Sequence, residues 1–229
     1  MKSFKALSVL LSYPSAEMLQ ALPDIRAILH DEGLFGPRRM AGLDHLITHL
    51  AQLDLYDAEE QYVLLFDRSR TLSLNLFEHV HGESRDRGGA MVDLLEMYRA
   101  GGFDLAATEL PDHLPVLLEF LSTRSPDSAK ATLADAAAIL TALADRLTRR
   151  ESPYAAVLTA LAAHAGADGN QADAAALAAQ PDDDPTDLAA LDATYAEAQV
   201  VFGPDPDAGC PSVRDMLARM DQPAPQAAT

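Results

Sequence analysis

Apolar residues at helical spacing recur along most of the chain, and this periodicity constrains the fold more than any other feature. Leu43, Leu46, Ile47 and Leu50 follow the i, i+3, i+4, i+7 pattern of one helix face. The same spacing returns in residues 91–98, 114–121, 133–147 and 213–220. No comparable run alternates apolar and polar residues, as a half-buried strand would require. The sequence therefore predicts an all-α fold, organised as a single helical bundle.

Capping and helix-breaking residues predict where these helices begin and end. Ser, Thr and Asp side chains accept hydrogen bonds from first-turn N–H groups, and Pro is tolerated in the first turn. The predicted N-caps are Ser15, Asp57, Asp112, Ser125, Ser152 and Thr186. Pro23 and Pro37 are each predicted to open a helix. Gly33, Gly101 and Gly166 are predicted to follow helix ends.

A shift in composition divides the 229-residue chain. Residues 1–165 carry the regular helical pattern and are predicted to form the main domain. Residues 166–185, rich in Gly, Ala, Asp and Pro, are predicted to be an acidic mobile connection. Helical segments associated with the domain are expected over 186–221, followed by a disordered tail over 222–229.

The charge balance excludes several classes of function. Lys and Arg total 17 against 35 Asp and Glu, a formal net charge of −18. Nucleic acids and anionic membrane surfaces attract clustered positive charge, so neither is an expected partner, whereas a basic peptide is. No apolar run approaches the ~20 residues that cross a bilayer. The single cysteine, Cys210, is typical of a reducing compartment, and the predicted location is the cytoplasm.

Few residues have the spacing that catalysis or metal binding requires. His45 and His49 are spaced i, i+4, but they point away from the apolar face of their helix and are predicted to be surface histidines. Asp112 beside His113 is the best acid–base pair, yet no nucleophile accompanies it. No glycine-rich phosphate loop occurs. The chain is therefore expected to lack a cofactor and not to be an enzyme, with a small metal-dependent or Asp/His hydrolase as the weaker alternative.

Two dense segments carry a resemblance to a known family. Residues 66–89 include Leu-Phe-Glu-His-Val-His-Gly-Glu-Ser and Arg-Asp-Arg-Gly, and residues 110–115 read Leu-Pro-Asp-His-Leu-Pro. Both closely resemble the NarJ-type molybdenum cofactor assembly chaperones of nitrate reductase, also called its delta subunit. Leu-Leu-Ser-Tyr-Pro at 10–14 and Val-Phe-Gly-Pro at 201–204 fit the same family. The Pro-Asp-His segment is similar to the wider TorD/DmsD superfamily of redox-enzyme maturation chaperones.

The resemblance implies an all-helical chaperone that is absent from the finished enzyme. Such a protein binds the N-terminal segment of the apo catalytic subunit of respiratory nitrate reductase until the molybdenum cofactor is inserted. Support of iron–sulfur cluster insertion before membrane attachment, and contact with cofactor insertion proteins, are implied as well. The alternatives are a chaperone for another molybdoenzyme, such as a DMSO or TMAO reductase, and a scaffold without a peptide groove.

A groove for such a peptide requires an apolar floor and an acidic edge. The expected edge residues are Glu78, Glu83, Glu109 and Asp112, because carboxylates pair with the Arg or Lys of a leader segment. The expected floor residues are Tyr62, Phe66, Phe77 and Leu114, although Phe66 and Leu114 suit the core equally well. His81 and His113 titrate near neutrality and are expected to make the pairing depend on pH, and Pro111 is expected to fix the turn that presents Asp112.

Overall fold

The computed structural model describes residues 1–81, 85–105, 109–166, 171–179, 182–184, 187 and 189. Extended structure in these residues is limited to one antiparallel bridge between Asn75 and His113, so the all-α prediction is confirmed. The helices are α1 (Lys2–Leu10), α2 (Ala16–Glu32), α3 (Pro37–Leu50), α4 (Leu55–Tyr62), α5 (Leu76–His81), α6 (Arg85–Ala100), α7 (Leu114–Ser122), α8 (Pro126–Asp135), α9 (Ala137–Arg149), α10 (Ala155–Ala165) and α11 (Gln171–Ala178). A π-helical turn (Val63–Asp67) and a 3₁₀ turn (Arg70–Leu72) lie between α4 and α5.

Several predicted helix ends are confirmed. Ser15 caps α2 by accepting a hydrogen bond from the N–H of Met18, and Ser125 caps α8 in the same way. Pro37 opens α3 at its first position. Gly33 ends α2 and Gly166 ends α10 with φ of 60° and 80°, in the left-handed region that glycine adopts at low cost.

Other predicted helix boundaries were wrong by a few residues or missed a break. Asp54, not Asp57, caps α4, and its carboxylate accepts the N–H of Asp57. Ser152 precedes α10, whose N-cap position is Tyr154. The predicted stripe over 133–147 is interrupted at Ala136, which ends α8 and begins α9.

Pro23 does not open a helix but lies inside α2. Proline in a helix interior removes one backbone hydrogen bond, at a cost of ~3 kcal/mol. The buried face of α2 continues across Pro23 from Met18 and Leu22 to Ile25 and Leu29. Burying side chains of this size contributes about 1.5–3 kcal/mol each, so packing outweighs the lost hydrogen bond.

The N-terminal helix α1 lies against α2 and α7, and α10 lies against α3, α8 and α9. Polar contacts fasten α1 at both ends. The Glu32 carboxylate accepts the N–H groups of Lys2 and Ser3 at 3.0 and 2.5 Å, which satisfies first-turn donors of α1. The Ser8 hydroxyl donates to the carbonyl oxygen of Pro115 at 2.6 Å, which joins α1 to α7.

Backbone contacts bring the two family-like segments together. The N–H of Leu76 donates to the Asp112 carbonyl oxygen at 3.0 Å, and the N–H of Leu114 donates to the Leu74 carbonyl oxygen at 2.9 Å. Residues 74–76, which lead into α5, therefore run beside residues 112–114, which lead into α7. Segments about 40 residues apart in sequence thus form one local structure.

The described residues belong almost entirely to one compact unit, Met1–Asp187. The second unit, Leu188–Thr229, lies outside the described residues apart from Ala189, as do the predicted cap Thr186, the C-terminal helical segments and the tail. Among the helices described, none combines the length and the apolar character needed to cross a membrane.

Candidate functional site

A cavity of about 470 Å³ opens beside the junction of the two family-like segments. We call it the aromatic cavity. Its walls come from α1, the end of α4, the π-helical turn, residues 73–75 and residues 109–119. Four of the residues predicted for the peptide site line it: Tyr62, Phe66, Glu109 and His113.

Packed aromatic rings form the floor of the aromatic cavity. The Tyr62 ring lies 5.6 Å from that of Tyr13 and 5.0 Å from that of Phe66, measured between centroids. Phe66 in turn makes an edge contact with Tyr154 at 5.2 Å. The Tyr62 hydroxyl donates to the Leu11 carbonyl oxygen at 2.9 Å, and burial raises the pKa of this hydroxyl far above its ordinary value. The floor is therefore fixed in position, while Tyr13, 53% exposed, covers its outer edge.

Three carboxylates, those of Asp67, Glu109 and Glu119, line the aromatic cavity. Asp67 and Glu109 are exposed, and neither has a hydrogen-bond or ion-pair partner among the described residues. Glu119 pairs with Lys5 at 3.1 Å, with both side chains largely in solvent. No Lys or Arg is among the described residues that line this cavity. The site therefore combines an apolar floor with a negative rim.

His113 is half-buried in the cavity wall, and burial disfavours protonation of its imidazole. Burial lowers the pKa of its imidazole, and the nearby Glu109 carboxylate opposes this shift only in part. His113, and not Asp112 as predicted, occupies the N-cap position of α7, and its side chain makes no capping hydrogen bond. The imidazole is thus a polar group whose charged form is disfavoured, next to the carboxylate of Glu109.

Asp112 lies inside the fold rather than at an exposed edge, which differs from the sequence-based expectation. Its side chain is 0% exposed, and its Oδ2 accepts the N–H of Phe77 at 3.0 Å. Because its carbonyl oxygen also accepts the N–H of Leu76, Asp112 caps α5 from a distant part of the sequence. Its Oδ1 is buried without a hydrogen-bond partner in the described structure. Burial raises the pKa of this carboxyl, opposed by the Phe77 N–H and by Arg87 about 4.0 Å away.

None of the other predicted site residues whose side chains the structure describes lines the aromatic cavity. Phe77 and Asp112 border a second, largely apolar cavity of about 450 Å³ between α5, α6, α7 and α9. Leu114 is fully buried core, and the carbonyl oxygen of Pro111 accepts the hydroxyl of Tyr98 at 2.7 Å. Glu78 forms an ion pair with Arg87 at 3.2 Å. Glu83 and the side chain of His81 lie outside the described residues.

The histidines considered as metal ligands have other surroundings. His45 is exposed, and His49 Nε2 contacts the amide oxygen of Gln61 at 2.9 Å. His79 Nε2 donates to the carbonyl oxygen of Ser73 at 2.8 Å, and burial lowers the pKa of this imidazole. Within the described residues, no three His, Cys, Asp or Glu side chains are grouped as a metal site would need.

Sequence reasoning missed most of the residues that line the aromatic cavity, among them the polar or aromatic Tyr13, Asp67, Asn75 and Glu119. A signal was present for two of them. Tyr13 belongs to the Leu-Leu-Ser-Tyr-Pro motif, and Asp67 follows Phe66 in the Leu-Phe-Asp-Arg motif. The π-helical turn at 63–67 also marks this place, because such turns are frequent at functional sites.

The fold and this cavity define an all-helical protein with an aromatic, acidic-rimmed cavity, and comparison with known proteins identifies its family. The family model described as "Nitrate reductase delta subunit" matches residues 36–160. The chain is 43% identical over 206 residues to the "Nitrate reductase molybdenum cofactor assembly chaperone NarJ" of Escherichia coli K12, covering 88% of this chain and 85% of that protein. It is 39% identical over 213 residues to the same organism's "Probable nitrate reductase molybdenum cofactor assembly chaperone NarW", covering 93% and 88%.

A more distant relative extends the comparison beyond one organism. The "Probable nitrate reductase molybdenum cofactor assembly chaperone NarJ" of Bacillus subtilis is 33% identical over 161 residues, which cover 70% of this chain and 86% of that protein. The chain belongs to the nitrate reductase delta subunit family, so the predicted family is confirmed. These relatives are named as assembly chaperones and not as catalysts, in agreement with the prediction that the chain is not an enzyme.

Proposed function

We propose that this chain is a molybdenum cofactor assembly chaperone of nitrate reductase, and that it binds the N-terminal segment of the apo catalytic subunit in the aromatic cavity. The family of the chain and the names of its relatives support its role as an assembly chaperone. The cavity supports the binding of the N-terminal segment. The protein would act in the cytoplasm and support cofactor and iron–sulfur cluster insertion before membrane attachment.

The observation that carries this proposal is a rigid aromatic floor beside two carboxylates, those of Asp67 and Glu109, that have no cationic partner among the described residues. An amphipathic peptide helix inserts apolar side chains into such a floor. Arg or Lys of the same peptide would meet Asp67 and Glu109, which have no cation of their own among the described residues. A leader-type segment, basic at its start and apolar beyond, has both features.

Asp112 and Pro111 support this site indirectly in the proposal. Asp112 holds the start of α5 through the N–H groups of Leu76 and Phe77, and the same stretch supplies Leu74 and Asn75 to the cavity wall. The hydroxyl of Tyr98 donates to the carbonyl oxygen of Pro111 and so holds this turn in place. The two residues thereby set the width of the cavity without touching the peptide.

Calorimetric titration with a synthetic peptide from the N-terminus of the cognate catalytic subunit tests the proposal. The double variant Asp67→Asn/Glu109→Gln should weaken binding about two- to thirtyfold, since exposed ion pairs contribute about 0.2–1 kcal/mol each. Asp24→Asn/Asp31→Asn removes the same charge from exposed positions of α2 and serves as the matched control. Raised salt should weaken wild-type binding and leave the rim variant less affected.

An equal loss of peptide affinity in both double variants would show that only net charge matters. This result would contradict the proposal that the peptide binds in the aromatic cavity. A folded wild-type protein that fails to bind the peptide would overturn the proposed client. A DMSO or TMAO reductase peptide in the same titration tests the alternative client, which would have to bind more tightly than the nitrate reductase peptide.

A further inference from the structure

Three arginines at the end of α9 make contacts that a simple helix-end role does not require. Arg146, Arg149 and Arg150, here called the arginine cluster, lie where cations interact favourably with the helix dipole. Arg146, however, is only 1% exposed. Its guanidinium donates to the carbonyl oxygens of Thr71 and Leu177 at 2.7 and 2.5 Å. A buried cation is costly unless it is well paired, so this arginine needs an anion beside it.

The chain supplies this anion from its own acidic segment. Asp182 Oδ1 lies 3.3 Å from Nε of Arg146. The same carboxylate accepts hydrogen bonds from Nη2 of Arg149 at 3.0 and 3.3 Å and from its Nε at 3.4 Å, in a forked arrangement. Two guanidinium groups therefore share one carboxylate at the surface of the described unit.

Four donors surround the neighbouring carboxylate of Asp183. It accepts the hydroxyl of Ser69 at 2.7 Å, the hydroxyl and N–H of Thr71, and Nη2 of Arg150 at 3.1 Å. The Asp183 carbonyl oxygen accepts the same Arg150 nitrogen at 2.8 Å. Burial alone would raise the pKa of Asp183, but the hydrogen bonds from Thr71 and Ser69 hold it below its ordinary value.

The arginine cluster has more donors than these two carboxylates satisfy. Nη1 of Arg150 is buried and has no hydrogen-bond partner in the described structure. Nε of Arg146 is also buried, and its 3.3 Å ion-pair contact with Asp182 does not have the geometry of a hydrogen bond. Guanidinium forks, hydroxyl groups and a backbone N–H together are the donor set that proteins use for phosphate groups. A phosphate group offers more acceptor oxygens than a carboxylate, and it carries up to two negative charges.

We propose that the arginine cluster, with Ser69 and Thr71, is a binding site for a phosphate monoester or diphosphate group, and that Asp182 and Asp183 occupy this site as an internal competitor. A phosphorylated ligand enters when the acidic segment leaves. Because the segment is part of the same chain, it competes at a high effective concentration and keeps the ligand's apparent affinity low. This site is separate from the aromatic cavity, so it stands independently of the proposed peptide site.

Binding of inorganic pyrophosphate, with acetate as a carboxylate control, tests the proposal. The variant Asp182→Asn/Asp183→Asn keeps the shape of both side chains but removes their charge. It should bind pyrophosphate at least about tenfold more tightly than the wild type, as expected if the internal carboxylates occupy the site about nine-tenths of the time. Arg149→Gln/Arg150→Gln should abolish binding in either background, and acetate should not compete.

Asp24→Asn/Asp31→Asn is the matched control, because it raises the net charge by the same amount away from the cluster. If this control gains the same affinity, attraction is non-specific and the proposal fails. If a folded Asp182→Asn/Asp183→Asn variant does not bind pyrophosphate, the arginines serve only to fasten the acidic segment. Should this variant not fold, titration of the wild type and of Arg149→Gln/Arg150→Gln decides the question, since only the wild type is expected to bind.

Discussion

Replacing Asp112 should show whether this residue stabilises the fold or contacts the bound peptide. Asp112→Ala removes the carboxylate that accepts the part-buried N–H of Phe77. Loss of a helix cap costs about 0.5–2 kcal/mol, and leaving a buried donor unsatisfied costs about 1–3 kcal/mol. Both figures describe the loss of the same hydrogen bond, so they are not added. We expect Asp112→Ala to lower the free energy of unfolding by about 2 kcal/mol.

Asp112→Asn should cost much less, because the amide oxygen still accepts the Phe77 N–H. The charge itself stabilises nothing at neutral pH, since burial raises the pKa of Asp112 in the folded state. A raised carboxyl pKa means that folding is favoured by protonation, so stability falls as pH rises above the unfolded value of about 3.9. Asn cannot titrate, and the variant should lose this component of the pH dependence.

Urea denaturation followed by far-UV circular dichroism measures both free energies. Glu109→Ala is the control, because it truncates an exposed carboxylate nearby and should change stability by less than about 0.5 kcal/mol. If Asp112→Ala is no less stable than Asp112→Asn, the capping argument is refuted. Loss of peptide binding by a fully stable Asp112→Asn variant would instead assign Asp112 a direct contact.

Three other predictions concern the bundle. Gly101→Ala should destabilise the protein by about 1–3 kcal/mol, because the new methyl group would lie 2.6 Å from the ring of Phe120. Gly88→Ala, in α6 with open space around it, should instead stabilise it by about 0.5–1 kcal/mol, and thermal denaturation of both variants checks the contrast. Burial lowers the pKa of His164, so stability should fall as pH drops below about 6.5, and His164→Phe should flatten this dependence in urea titrations at several pH values. Glu32→Ala should cost about 1 kcal/mol and increase hydrogen exchange at the first amides of α1.

The all-α fold could be predicted because several helices, such as α3, α7 and α9, carry their own signal. The apolar stripes depend on neighbours three and four residues away, so sequence alone locates them. Boundaries were less certain where two candidate caps lie close together, as with Asp54 and Asp57. The break at Ala136 has no local signal, because alanine suits both a helix interior and the bend seen here.

The candidate site was only partly predictable because its geometry depends on contacts between distant segments. Asp112 has the right chemistry for a cap, but the helix that it caps with its side chain begins 36 residues earlier in the chain, at Leu76. The sequence shows that Phe66 and Asp67 are adjacent, but not that a π-helical turn places both at one cavity. Likewise, the sequence shows Asp182 and Asp183 only as part of an acidic run. It does not show that the arginine cluster lies beside them in the fold.

Site-specific photo-crosslinking tests most directly whether the client peptide binds in the aromatic cavity. A benzophenone side chain in place of Tyr13, at the cavity edge, should crosslink to the peptide from the nitrate reductase catalytic subunit. The same group in place of Val92, an equally exposed residue of α6, should not. Unlabelled peptide should suppress the Tyr13 product. A specific, competable crosslink at Val92 and none at Tyr13 would contradict the account, because the peptide would then bind a different face of the bundle.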